Sequence, residues 1–186
     1  WPWQESLHNF NRLTCGGSLF SDRWVVSAAH YCRVCIYLPS NNPNTWTVYL
    51  GLHSQNDLSA STVVAGSVNR ILIHECYNGS SHDYDIALME LSERVSFIDY
   101  IQPVCLPPRF QKFPYPGKSY FISGWGKLFE GGKSMSMVKS IDIPTIQVMY
   151  RDFNITETDW CRVCLLQGDS GGPLVCQDSN GRWYLS

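Results

Sequence analysis

Short apolar or alternating runs, separated by turn-forming residues, repeat along the whole chain. Residues 24–28, 46–50, 67–73, 86–91 and 120–123 combine β-branched and aromatic residues with an in–out alternation, and they read as β-strands. Clusters of Gly, Pro, Asn and Ser at 39–44, 78–81 and 114–117 read as loops. No long segment carries apolar residues at helical spacing, and neither an internal repeat nor a low-complexity tract breaks the pattern. The expected fold is all-β.

Length and charge narrow this picture. The chain has 186 residues, enough for a sizeable core, and all-β barrels of up to roughly 250 residues can form a single domain. The formal net charge is −2 and no basic run occurs, which argues against nucleic acid as a partner. No apolar stretch approaches the roughly 20 residues that a membrane helix needs. There is also no basic-then-apolar leader at the first residues, although the chain opens inside a recognisable pattern, so this says nothing about secretion. Eight cysteines point to an oxidising compartment. The sequons Asn78-Gly79-Ser80 and Asn154-Ile155-Thr156 fit a glycosylated, secreted protein.

The chemistry concentrates in three blocks. Gly168-Asp169-Ser170-Gly171-Gly172-Pro173 sets one serine in a glycine-rich turn. A serine hydroxyl is a weak nucleophile without an adjacent base and without donors for the oxyanion it creates. Trp24-Val25-Val26-Ser27-Ala28-Ala29-His30 delivers a histidine after an apolar strand, and Asp85-Ile86-Ala87-Leu88 delivers a carboxylate ahead of another. An imidazole that titrates near neutrality serves as base and then acid. Each block also has an ordinary reading: a turn serine, a strand-end histidine, a surface carboxylate. Asp83 competes with Asp85, because two residues apart on a strand share a face. His8, His53, His74 and His82 lack such a block, and surface or loop roles suit them. No metal cluster is evident from His and Cys spacing.

The order His30, Asp85, Ser170 is that of chymotrypsin. Further matches fall in order along nearly the whole chain: Trp1-Pro2-Trp3-Gln4, Cys15-Gly16-Gly17-Ser18-Leu19, Ile101-Gln102-Pro103-Val104-Cys105-Leu106-Pro107 and Ser123-Gly124-Trp125-Gly126. The chain resembles the trypsin-like, chymotrypsin-fold serine proteases. The resemblance implies one peptidase domain over 1–186 with two antiparallel β-barrels, the first over about 1–103 with His30 and Asp85, the second over 104–186 with Ser170. The second barrel is expected to be incomplete. The cleft between them would hold a polypeptide substrate.

The roles carried over follow the same resemblance. Ser170 is the nucleophile, His30 the general base and Asp85 its orienter; Gly168 and Ser170 supply the oxyanion-hole N–H groups. Asp169 pairs with the amine released when a zymogen is cleaved. Cys15 and Cys32 form the disulfide of the histidine loop, and Cys105 bridges to a propeptide or stem. The expected function is a secreted or ectodomain serine endopeptidase acting through an acyl-enzyme, without a cofactor. Its partners are peptide substrates and protein protease inhibitors. The alternative is a catalytically silent homologue used as a binding or scaffold protein.

Four departures bear on that choice. Trp183-Tyr184-Leu185-Ser186 matches only the start of a strand that in relatives goes on to bind substrate, so the chain by itself is expected to be inactive. The run Trp160 to Gln167 is short, with Cys164 at the pocket base and Leu166 where a cysteine belongs, which leaves the primary specificity unread. Tyr31 is inserted between His30 and Cys32, Tyr120 stands where Cys176 should find its partner, Cys161 lacks its own, and Cys35 with Cys76 are extra and expected to pair. Residues 34–44 form an insertion between His30 and Asp85.

Overall fold

The structure is a computed structural model and describes residues 1–33, 42–109, 119–126, 135, 139–144 and 170–186. Six strands make a closed barrel: β1 (Gln4–Asn9), β2 (Arg12–Leu19), β3 (Trp24–Ser27), β4 (Trp46–Leu50), β5 (Val64–Ile73) and β6 (Ala87–Leu91), in spatial order β1-β2-β3-β6-β5-β4 with β4 returning to β1. Closure leaves no unpaired edge on this half of the molecule. A second, four-stranded sheet has the order β10-β9-β7-β8, from β7 (Ser119–Gly124), β8 (Lys139–Pro144), β9 (Leu174–Gln177) and β10 (Trp183–Leu185). The α-helix among the described residues is one short turn, α1 (Ala29–Arg33), and Pro43–Thr45 form a 3-10 turn.

The fold is all-β, as expected, and the strand 46–50 has the expected bounds. Its alternation is matched by the alternating burial of Trp46, Val48 and Leu50. The other expected strands are present with shifted ends. The first hairpin departs from expectation, since β1 and β2 lie where no strand was read. The β1 run Gln4-Glu5-Ser6-Leu7-His8 is polar in composition yet buried throughout, and Phe10 and Asn11 make its two-residue turn with φ of 48° and 61°. Positive φ at both positions suits the twist of a tight hairpin.

Inside the barrel, Leu7, Cys15, Leu19, Val25, Val48, Leu50, Met89 and Leu91 form the main core. A second cluster of Trp3, Val104 and Val175, flanked by Trp1, Phe121 and Trp183, joins the barrel to the second sheet. The rings of Trp1 and Trp183 meet edge to face at 5.0 Å. Polar contacts cross the same junction: Ser123 Oγ donates to Gln4 Oε1 at 2.7 Å, and Trp125 Nε1 donates to the carbonyl of His53 at 3.1 Å. Tyr120 is fully buried on β7, one step along the ladder from the Phe121–Val175 pair and so on the Cys176 side of it. Cys176 is buried with its Sγ 3.4 Å from Ser186 Oγ.

Candidate active site

The barrel register brings the first two candidate residues together. Strands β3 and β6 run antiparallel, and Ser27 pairs with Ala87 at the end of their ladder. His30 lies three residues beyond that end on one strand, and Asp85 lies two residues before it on the other. Both therefore emerge at the same rim of the barrel. The turn of helix α1 swings His30 back over it.

Asp85 holds His30 twice. The backbone N–H of His30 donates to Asp85 Oδ1 at 2.7 Å, and the ring Nδ1–H donates to Oδ2 at 2.6 Å. An ionised carboxylate only accepts, so this contact sets the tautomer and leaves Nε2 as the free lone pair. The segment before Asp85 is shaped to deliver it. Asn78 Oδ1 accepts from the N–H of Ser80, and Asn78 and Asp83 form a β-bridge. Tyr84 adopts φ of 54° and stacks on His74 with ring centroids 4.8 Å apart. The structure separates the two carboxylates: Asp83 is exposed and accepts from the N–H of its neighbour Tyr84, whereas Asp85 accepts from His30.

Ser170 is docked onto β2 and β3, the second of which leads into His30. Its carbonyl accepts from the N–H of Gly16 on β2 at 3.1 Å. Gly171 follows with φ of 81°, and an added Cβ there would lie 2.3 Å from Ser27 Oγ, 2.8 Å from Ala28 N and 2.9 Å from the Gly16 carbonyl. Only glycine accepts both that backbone conformation and that closeness. Ser27 Oγ in turn donates to the Gly16 carbonyl at 2.8 Å, tying β2 to β3 under the serine turn. Ser170 is half-buried, and its hydroxyl makes no hydrogen bond among the described residues. Serine–histidine bonds commonly tighten only when substrate is bound.

Gly168, Asp169, Asn154, Cys35, Cys161, Cys164, Leu166 and the side chain of Cys32 lie outside the described residues, as does most of the expected insertion. Cys15 is fully buried, with Ser27 Oγ 3.8 Å from its Sγ. Two expectations are corrected. Cys76 is an exposed free thiol, so its pairing with Cys35 is not formed. His8 is not a surface residue: it is buried on β1, where Nε2 lies 3.0 Å from Ser6 Oγ and 3.2 Å from Gln55 Oε1. Burial holds its imidazole below the usual histidine range.

Beyond the residues singled out from the sequence, two rings border His30. Tyr31 lies with its ring centroid 4.2 Å from that of His30, and His82 lies edge-on at 5.8 Å. Tyr31 was legible as an insertion, whereas nothing in the sequence marked His82. Asn78 is exposed, and Cys105 is an exposed thiol whose backbone bonds to Trp183 and Leu185. Among the described residues no helix is long and apolar enough to cross a membrane.

The closed barrel, the second sheet and the barrel-rim histidine and aspartate define the chymotrypsin-like class of folds. The sequence model of the family described as "Trypsin" matches residues 1–185. Transmembrane protease serine 11C of Mus musculus is 37% identical over 199 aligned residues, covering 100% of this chain and 43% of that relative. The chain belongs to the trypsin family of serine proteases. It spans less than half the length of the curated relative it matches.

Proposed function

We propose that the protein is a serine endopeptidase in which Ser170, His30 and Asp85 act together. The observation that carries this reading is the double hydrogen bond from His30 to Asp85, at 2.7 and 2.6 Å, beyond the ends of β3 and β6, with the Ser170 turn seated against β2 and β3. His30 Nε2 takes the proton from Ser170 Oγ as that oxygen attacks the peptide carbonyl carbon. The resulting oxyanion is received by the N–H groups of Gly168 and Ser170. The imidazolium, stabilised by Asp85, returns the proton to the leaving amine as the C–N bond breaks. Water then repeats the sequence on the acyl-enzyme and releases the acid. Asp169 would accept the amine of a cleaved zymogen, which couples activation to the order of the oxyanion donors.

The cysteine content and sequons support an extracellular or ectodomain location, with a bridge from Cys15 to Cys32, glycans on Asn78 and Asn154, and a stem or propeptide at Cys105. Polypeptides are the substrates and protein protease inhibitors the expected antagonists. A single peptidase domain over 1–186, divided near residue 103, is the organisation proposed.

Labelling of the full-length protein with a fluorophosphonate probe tests the reading. Adduct mass on the peptide containing Ser170, abolished by Ser170→Ala, is the expected result. Activated protein that takes no label would identify a catalytically silent homologue, whose role would then be binding.

A further inference from the structure

Asp85 fixes one edge of the His30 ring but leaves one freedom open. Hydrogen bonds to the ring Nδ1–H and to the backbone N–H hold the imidazole by that edge. The ring can still rock about its Cβ–Cγ bond, because the second side-chain torsion of histidine has a broad well and a single Nδ1–H bond bends readily. Rocking about that bond displaces Nε2, the atom that must meet the serine. A further contact on the ring face is needed to hold it.

Tyr31 makes that contact. Its ring centroid lies 4.2 Å from that of His30 with the planes inclined at 46°. The same side chain is half-buried and packed against the main core of the barrel. It therefore links the half-buried imidazole to the rigid part of the fold. The tyrosine sits on α1 directly after His30, at the residue inserted ahead of Cys32. Its hydroxyl makes no hydrogen bond among the described residues, so the contact is made by the ring. His82 adds an edge-on ring at 5.8 Å but is held on an exposed turn at φ of 55°, a weaker anchor.

We propose that Tyr31 is a positioning residue that holds the plane of the His30 imidazole by packing its ring between that imidazole and the barrel core. This rests on the proposed role of His30. The aromatic face supplies what a hydrogen bond to one edge cannot, and a misplaced base costs up to about 10²-fold in rate.

The test compares Tyr31→Leu and Tyr31→Phe in the full-length activated protein, with rates normalised to the folded fraction. Two readouts are taken: the rate of fluorophosphonate labelling at Ser170, and the proton NMR resonances of the His30 ring. Tyr31→Leu is expected to slow labelling by about 10-fold or more and to move the His30 resonances as the ring current is lost. Tyr31→Phe is expected to restore both. An unchanged labelling rate in Tyr31→Leu, or an equal loss in Tyr31→Phe, overturns the proposal. If the unsubstituted protein takes no label, the role of Ser170 falls. The His30 resonances then decide alone: movement in Tyr31→Leu but not Tyr31→Phe upholds the ring contact, and no movement refutes it.

Discussion

One carboxylate, that of Asp85, accepts both the backbone N–H and the ring Nδ1–H of His30, at 2.7 and 2.6 Å. The first bond places the residue and the second orients its ring. Together they make the imidazole position depend on the end of β6, where Asp85 enters the barrel, as much as on α1.

That dependence separates the two neighbouring carboxylates. Asp85→Asn preserves size but offers an amide that can donate to Nδ1, which favours the wrong tautomer. The expected loss in labelling or turnover is on the order of 10⁴-fold. Asp83→Asn alters an exposed side chain whose described contact is with its own neighbour, and it is expected to change the rate by less than about 2-fold, in line with exposed sites that touch nothing critical. Stopped assays on both variants suffice, and a large loss confined to Asp83→Asn would reverse the assignment.

Gly171 and Gly181 offer a controlled comparison. Both have positive φ, 81° and 80°. A Cβ on Gly171 meets Ser27 Oγ at 2.3 Å and backbone atoms at 2.8 and 2.9 Å, whereas one on Gly181 meets only the Gln177 side-chain nitrogen at 3.6 Å. Gly181→Ala should cost about 1–2 kcal/mol, the left-handed penalty alone. Gly171→Ala adds an overpacking term of about 1–3 kcal/mol and should also displace Ser170. Urea unfolding of the pair measures the difference, and equal losses would show that the serine turn is not clamped against β2 and β3.

How much of this was readable in the chain follows from the residues. Trp46-Thr47-Val48-Tyr49-Leu50 alternates, and the strand lies where the alternation places it. The β1–β2 hairpin was hidden because its strand buries Gln4, Glu5, Ser6 and His8, and because its turn is Phe10-Asn11 rather than a glycine pair. The blocks around His30, Asp85 and Ser170 were legible as motifs. The choice of Asp85 over Asp83 becomes structural only through the β3–β6 register, which fixes which residue reaches the barrel rim. The ring of Tyr31 on His30 is a tertiary contact that no local pattern announces.

The junction between barrel and second sheet depends on a buried hydrogen bond. Ser123 Oγ donates to Gln4 Oε1 at 2.7 Å, with Ser123 1% and Gln4 2% exposed. Ser123→Ala leaves the Gln4 carbonyl oxygen without this donor and should cost about 1–3 kcal/mol. Adding Gln4→Leu removes the stranded group, so the double variant is expected to lose less than the sum of the single changes. Chemical denaturation of all four proteins closes the cycle, and strict additivity would mean that the bond contributes nothing to docking.

Glu5 gives the stability of the barrel a dependence on pH. It pairs across the ladder with Gly17, whose missing Cβ would touch Val25 and Leu7, so it points into the apolar interior. It is fully buried, and neither carboxylate oxygen has a hydrogen-bond partner among the described residues. Burial pushes its carboxyl well above the usual glutamate range. Below about pH 4.3, where an unfolded glutamate titrates, the group is neutral in both states and no charge penalty exists. As pH rises, the unfolded chain ionises first. Stability then falls by about 1.4 kcal/mol per pH unit until the folded carboxyl titrates. His8 contributes the opposite slope: its lowered value means that stability is lost as pH falls below about 6.5, where the unfolded imidazole protonates. Comparing Glu5→Leu with the unsubstituted protein cancels the His8 contribution. The stability gained by Glu5→Leu should therefore be small near pH 4.5 and grow as pH rises until the folded carboxyl titrates, read from urea midpoints between pH 4.5 and 7.5. A gain that stays constant across that range would mean that the Glu5 charge is compensated inside the barrel.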